Sequence, residues 1–216
     1  MSNYEYIISS LPFLTADFRY EKEGQGFSHV LEEIRQDLSE KDSAALDFLL
    51  EGLDPDKLCP DFYARALAHP LPFLREYFRF DLNLRNAKVR FLNLELGRPE
   101  EQDLLTGEGT EEDQDLDIDG YRFRGGEFTE EATVQLALAQ ESLLEREKAL
   151  DDVCWEKVSE LETFHYFDLT AVLAYVAKLH IVNRWLALDE SKGRELFRQL
   201  VREVKGTFKG VEYKED

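Results

Sequence analysis

The sequence predicts an all-α fold, and three observations predict it. Apolar residues recur at three- and four-residue spacing along nearly the whole chain. Residues that cap or stop helices stand at the ends of those runs, and no strand-type alternation of useful length occurs. The chain has 216 residues, enough for one domain whose core requires neither disulfide nor metal. The expected architecture is a multi-helix bundle in a single domain. It has a helical half at 1–97, a long, flexible acidic loop at 98–127 and a second helical half at 128–216.

Taken in order, Tyr4 to Leu14 is a short apolar opening, read as extended, that Pro12 brings to an end. Gly24 and Gly26 mark a loop, after which Ser28 can cap a helix carrying Val30, Leu31, Ile34 and Leu38. Ser39 and Asp42 form a capping box with Asp in place of Glu. They open a helix with Ala45, Leu46, Leu49 and Leu50 that stops near Gly52. Asp54-Pro55-Asp56 is a turn, and Phe62 to Ala68 is a short helix closed by Pro70. The first long helix runs from Leu71 to Leu96, with Pro72 tolerated in its first turn and Gly97 and Pro99 as stop signals.

The second half begins near Phe128. Thr129 can cap a helix containing Val134, Leu136, Leu138, Leu143 and Leu144; its continuation through Val153, Trp155, Val158 and Leu161 is one bent helix or two. Asp168 caps a helix from Leu169 to about Leu188 that is apolar around most of its circumference, the mark of a central, largely buried element. A last helix, from about Glu190 to Lys205, places Leu196, Phe197, Leu200, Val201 and Val204 on one face. Arg194, Arg198, Arg202 and Lys205 fall on the other, a cationic ridge suited to an acidic partner.

Charge narrows the function classes. Lys and Arg number 26 against 46 Asp and Glu, a net −20, which argues against nucleic acid and against broad adhesion to anionic lipid. From Glu100 to Asp119 the chain holds ten acidic residues and no Lys or Arg, so self-repulsion should keep that stretch extended. The apolar patch at Ile7 and Ile8 precedes the first basic residue, Arg19, and does not read as a secretory signal. No apolar run reaches the roughly 20 residues of a membrane span. The best candidate, Leu169 to Leu188, carries Lys178, His180, Asn183 and Arg184. Direct membrane insertion is not expected, and the expected location is cytoplasmic. Cys59 and Cys154 lie far apart without a CxxC pair, and read as reduced, partly buried thiols.

Motifs that would carry chemistry are incomplete. Asp115, Asp117, Asp119 and Gly120 imitate the start of a calcium loop, but Gly126 stands where the bidentate Glu belongs, and Glu127 comes one residue late. An acidic-loop calcium-binding or regulatory module is thus an alternative reading. Glu162 and His165 have the Glu-x-x-His spacing of di-iron bundles, yet none of His29, His69 or His180 supplies a second such pair. A helical enzyme assembled from Glu162, His165 or His180 is the other alternative. Cys154 falls in a predicted helix, away from the exposed electropositive setting of a nucleophilic thiol. The expectation is a protein that is not an enzyme and uses no cofactor or metal.

Three segments carry a family resemblance. The first is the opening Tyr4-Glu-Tyr-Ile-Ile-Ser-Ser-Leu-Pro12, and the second is Asn86-Ala-Lys-Val-Arg-Phe-Leu92. The third runs from Leu173 to Asp189 and on through Gly193-Arg-Glu-Leu-Phe197. The chain resembles a bacterial family of unknown function (domain of unknown function 2764), whose members are typically encoded among V/A-type ATP synthase subunits. That family is similar to the C subunit of those ATPases, the d subunit of the eukaryotic V-type enzyme, an all-helical socket between the membrane rotor ring and the central stalk. The socket has three related helical units, and this chain has length for about two. Pro72 to Arg85 and Ala171 to Arg184 share an apolar pattern, with Leu74 over Leu173 and Arg85 over Arg184. The resemblance implies a non-catalytic structural subunit or accessory protein of a V/A-type ATPase, peripheral to the membrane. Its partners would be the central stalk and the rotor ring, with Arg194, Arg198, Arg202 and Lys205 as candidate contacts.

Overall fold

A computed structural model describes residues 3–17, 27–105 and 128–188. These residues form eight α-helices and one 3-10 turn, with no strand among them: α1 Tyr4–Ser10, α2 Phe27–Asp37, α3 Glu40–Leu53, a 3-10 turn Pro55–Lys57, α4 Pro60–Leu67, α5 Pro72–Glu95, α6 Glu131–Leu138, α7 Leu143–Glu162 and α8 Leu169–Leu186. The acidic stretch 106–127, the predicted last helix and its residues Arg194, Arg198, Arg202 and Lys205 lie outside the described residues, as do Asp115, Asp117 and Asp119.

α8 is the central element, as its apolar circumference predicts. Its residues from Ala171 to Val182 pack among α1, α2, α3 and α7. Asp168 caps it, the carboxylate accepting from the Ala171 amide at 3.1 Å. The larger core gathers Ile7 of α1, Val30 and Ile34 of α2, Leu46 and Leu49 of α3, Phe62 of α4, Leu74 and Phe78 of α5 and Val158 of α7 around it. A smaller core joins Phe80 and Leu84 of α5 to Val134 and Leu138 of α6 and Leu150 and Val153 of α7. The two sequence halves therefore interleave: α8 completes the core of the N-terminal helices, and the far half of α5 packs with α6 and α7.

Four local expectations need correction. The opening segment is helical: Asn3 caps α1 by accepting from the Tyr6 amide at 3.2 Å. Tyr4, Ile7, Ile8 and Leu11 keep helical spacing within a run too short to reveal it. Ser28 lies inside α2, which starts at Phe27, and does not cap it. The α6–α7 stretch is two helices. Glu130, not Thr129, holds the N-cap of α6, and Ser142 starts α7 by accepting from the Glu145 amide at 3.4 Å. Finally, residues 98–105 are not free of the bundle. Buried Asn86 accepts from the Leu105 amide at 2.9 Å and donates to its carbonyl at 3.1 Å, and buried Asn93 donates to the carbonyls of Glu100 and Gln102 at 3.2 and 2.7 Å. An asparagine amide satisfies backbone groups as a neighbouring peptide would, so these two side chains strap the start of the connection to α5.

Ser39 caps α3 as expected, its hydroxyl accepting from the Asp42 amide at 3.3 Å and donating to the Asp42 carboxylate at 2.7 Å, and α3 then continues through Gly52 to Leu53. Gly52 is required by packing. A Cβ there would stand 2.2 Å from the Phe78 ring and 2.5 Å from that of Phe62, both fully buried. Alanine would gain up to about 1 kcal/mol of helix propensity, but moving two packed rings costs about 1–3 kcal/mol. We expect Gly52→Ala to lower the stability measured by urea unfolding by about 1–2 kcal/mol, the net of those terms.

Candidate functional site

Among the described residues, Asp81 and Asp151 are each tied to neighbouring side chains of the bundle. Asp81 of α5 accepts from the Tyr63 hydroxyl of α4 at 2.6 Å and from Arg85 one turn along at 2.8 Å. Asp151 of α7, buried among apolar neighbours, accepts from the Trp185 indole of α8 at 2.6 Å and pairs with Arg184 of the same helix. Glu147 lies 3.7 Å from that guanidinium. Burial pushes the Tyr63 and Tyr77 phenols well up, and Asp81 adds to both, so each stays protonated. Each carboxylate thus ties two helices or fixes a turn, an arrangement that sets register more than it opens space for a substrate.

Cys154 of α7 borders both cores. The residue as a whole keeps partial exposure, yet burial of the thiol pushes its pKa up to about 12, with Asp151 and Asp81 adding to the effect. The thiolate is therefore scarce at neutral pH. Cys59, expected to be partly buried, is exposed at the start of α4 because Pro60 opens that helix there.

The predicted residues are not gathered into one site. α7 ends at Glu162, whose carboxylate is taken by Lys178 of α8. His165 lies beyond the helix with Nδ1 2.6 Å from Asp168. The Glu-x-x-His spacing therefore does not sit on one helical face. His180 packs edge-on to Phe27, and burial, followed by Arg184, holds its pKa below the usual histidine value. Among the described residues no group of three or more His, Cys, Asp or Glu side chains could hold a metal ion. A groove of about 240 Å³ opens between α1 and α2, lined by Tyr6 and Leu11 on one wall and Glu33 and Asp37 on the other.

The turn joining α7 to α8 is a feature that sequence reasoning did not single out. Phe164, Tyr166 and Phe167 are 83%, 68% and 57% exposed within four residues. Thr163 has φ −55° and ψ 127°, Phe164 has φ +72°, and the His165 amide donates to the Glu162 carbonyl at 2.8 Å. That is a type II turn with Phe where the backbone favours Gly. The turn is held from both sides: the Thr163 hydroxyl donates to the Ser159 carbonyl at 3.0 Å, and Asp168 both caps α8 and meets His165. The signal in the sequence is the run Phe164-His-Tyr-Phe167 immediately before a capping Asp, too many aromatics for a solvated turn.

The family described as Protein of unknown function (DUF2764) matches residues 53–207. The chain belongs to this family. No curated protein and no solved structure matches the chain. The family match spans α4 through α8 and includes Asp81, the buried Asp151 and the aromatic turn.

Two measurements test these environments. Iodoacetamide at pH 8 followed by mass spectrometry is expected to modify Cys59 readily in the folded protein and Cys154 only after unfolding. Equal labelling of both would contradict the raised thiol pKa. A left-handed φ costs an L-residue about 1–2 kcal/mol, partly offset by the extra unfolded-state freedom of glycine. Phe164→Gly is therefore expected to raise the melting temperature by about 2–4 °C, a net gain near 1 kcal/mol.

Proposed function

We propose that this protein is a non-catalytic structural subunit or accessory protein of a V/A-type ATPase, linking the membrane rotor ring to the central stalk. The observation that carries the reading is where the polar and apolar groups go. Interior carboxylates are spent on ties between side chains, while large apolar side chains remain exposed, among them Leu92, Leu94 and Leu96 where α5 ends, Leu143 and Leu144 where α7 starts, Leu186 where α8 ends, and the aromatic turn between α7 and α8. A part that transmits force between two bodies needs a firm middle and surfaces for contact; the interior ties and the exposed apolar residues support that reading. The three segments that resemble the ATPase-associated family support the same reading; Asn86–Leu92 lies on α5, and the third segment lies on α8 from Leu173 to Leu186.

Among the described residues no helix is long and apolar enough to cross a membrane. In this reading the protein is a peripheral, cytoplasmic component that reaches the membrane through the ring. Arg194, Arg198, Arg202 and Lys205 remain its sequence-derived contacts with the complex. Isolation of the ATPase from native membranes in mild detergent, with mass spectrometry of its subunits, is the test. This protein is expected to co-elute with the components of the central stalk and ring; an intact ATPase that lacks it would sink the reading.

A further inference from the structure

We propose that the α7–α8 turn, residues 163–168, docks a basic amphipathic helix of a partner protein. Phe164, Tyr166 and Phe167 would meet its apolar ridge, and Glu160 and Asp168 the lysines or arginines beside that ridge. The proposal rests on the ATPase reading only for the identity of the partner. The bundle gains little from these rings. Phe164 is almost wholly in water, and it holds a left-handed backbone that glycine would hold with less strain. A bulky residue kept at such a position, beside two further exposed aromatics, has the composition of an interface anchor.

Charge selects the occupant. The acidic side chains around the turn face water, Glu160 at 67% and Asp168 at 45% exposure. The nearest lysines are turned inward: Lys157, held by Glu130 and Glu160, is 15% exposed, and Lys178, held by Glu162, is 14% exposed. The surface that frames the aromatics is therefore carboxylate, on a chain of net charge −20. A cationic helix is attracted to it, whereas an anionic bilayer is repelled. Helix-in-groove recognition reads apolar anchors at helical spacing, and a turn presenting three rings offers the complementary knob.

The probe is a fluorescein-labelled Leu–Lys amphipathic peptide of about 14 residues, four helical turns, titrated with full-length protein and followed by anisotropy. Phe164→Gly and the double variant Tyr166→Ser/Phe167→Ser are expected to weaken binding about tenfold or more each, the loss of a single anchor. Leu188→Ser, which removes an exposed leucine just past the other end of α8, should leave it unchanged. Melting curves confirm that each variant is folded. Unaltered affinity in the turn variants, or equal binding of a Leu–Glu peptide, overturns the proposal. So does a turn-dependent dimer in sedimentation, or turn-dependent flotation with phosphatidylglycerol vesicles. The turn variants are also expected to be lost from the membrane-purified ATPase. Variants that stay in the complex like wild type defeat the docking proposal alone, while a wild-type protein absent from the ATPase but bound by the peptide through the turn defeats the ATPase assignment alone.

Discussion

A helix whose apolar side chains run around most of its circumference has little face to offer to water, and α8 is such a helix. From Ala171 to Val182 it buries residues on most sides, so four other helices must close around it before it is stable. That requirement explains the connectivity. α1, α2 and α3 reach it from one end of the sequence and α7 from the other, and α1 is pinned in place where the Tyr175 hydroxyl donates to the Pro12 carbonyl at 2.8 Å. Apolar packing alone would leave α7 free to slide along α8. The buried Asp151 removes that freedom, because its carboxylate is satisfied only where Trp185 and Arg184 both reach it. Lys178 repeats the constraint near the other end of the hairpin, bound to Glu162 and lying over the Trp155 ring. Charge therefore fixes the register, and burial supplies the attraction.

The all-α class, the centrality of α8 and several caps were legible in the sequence, because each is a local pattern of a few residues. Ser39, Asp168 and the pair Gly97-Pro99 act where the sequence places them. The Arg98 amide donates to the Asn93 carbonyl at 2.8 Å and that of Gly97 to Leu94 at 3.2 Å across the end of α5, closing that helix by a left-handed glycine. What local pattern could not reveal is tertiary. Gly52 reads as a stop signal, yet it is there to admit two rings. Asn86 and Asn93 read as polar positions on a long helix, yet they are buried and hold the stretch of chain that follows it. Asp81 and Asp151 are not singled out by any local pattern, because nothing nearby in sequence names Tyr63 or Trp185 as their partners. The weak alignment of Arg85 over Arg184 did mark two residues with one job, since each guanidinium holds a carboxylate at the edge of the core.

The ends of α5 and α7 pose the same geometric problem and receive different answers. Both helices are left through a residue with positive φ, at Gly97 in one case and Phe164 in the other, with φ +64° and +72°. Glycine at 97 is the low-strain solution, and a Cβ there would meet nothing within 4 Å, so its use is conformational and not steric. The same solution was open at 164, where the side chain is in water and packing asks for nothing. The isolated fold does not reward a phenylalanine there, and the docking proposal gives its ring a use. The ties on either side, from Thr163 to Ser159 and from His165 to Asp168, show that the turn is built to hold its shape against that strain. A rigid, aromatic, carboxylate-framed projection at the end of a hairpin whose register is locked by buried charge is thus continuous with the rest of the design. The ties that keep α7 from sliding on α8 also keep the turn fixed relative to the core.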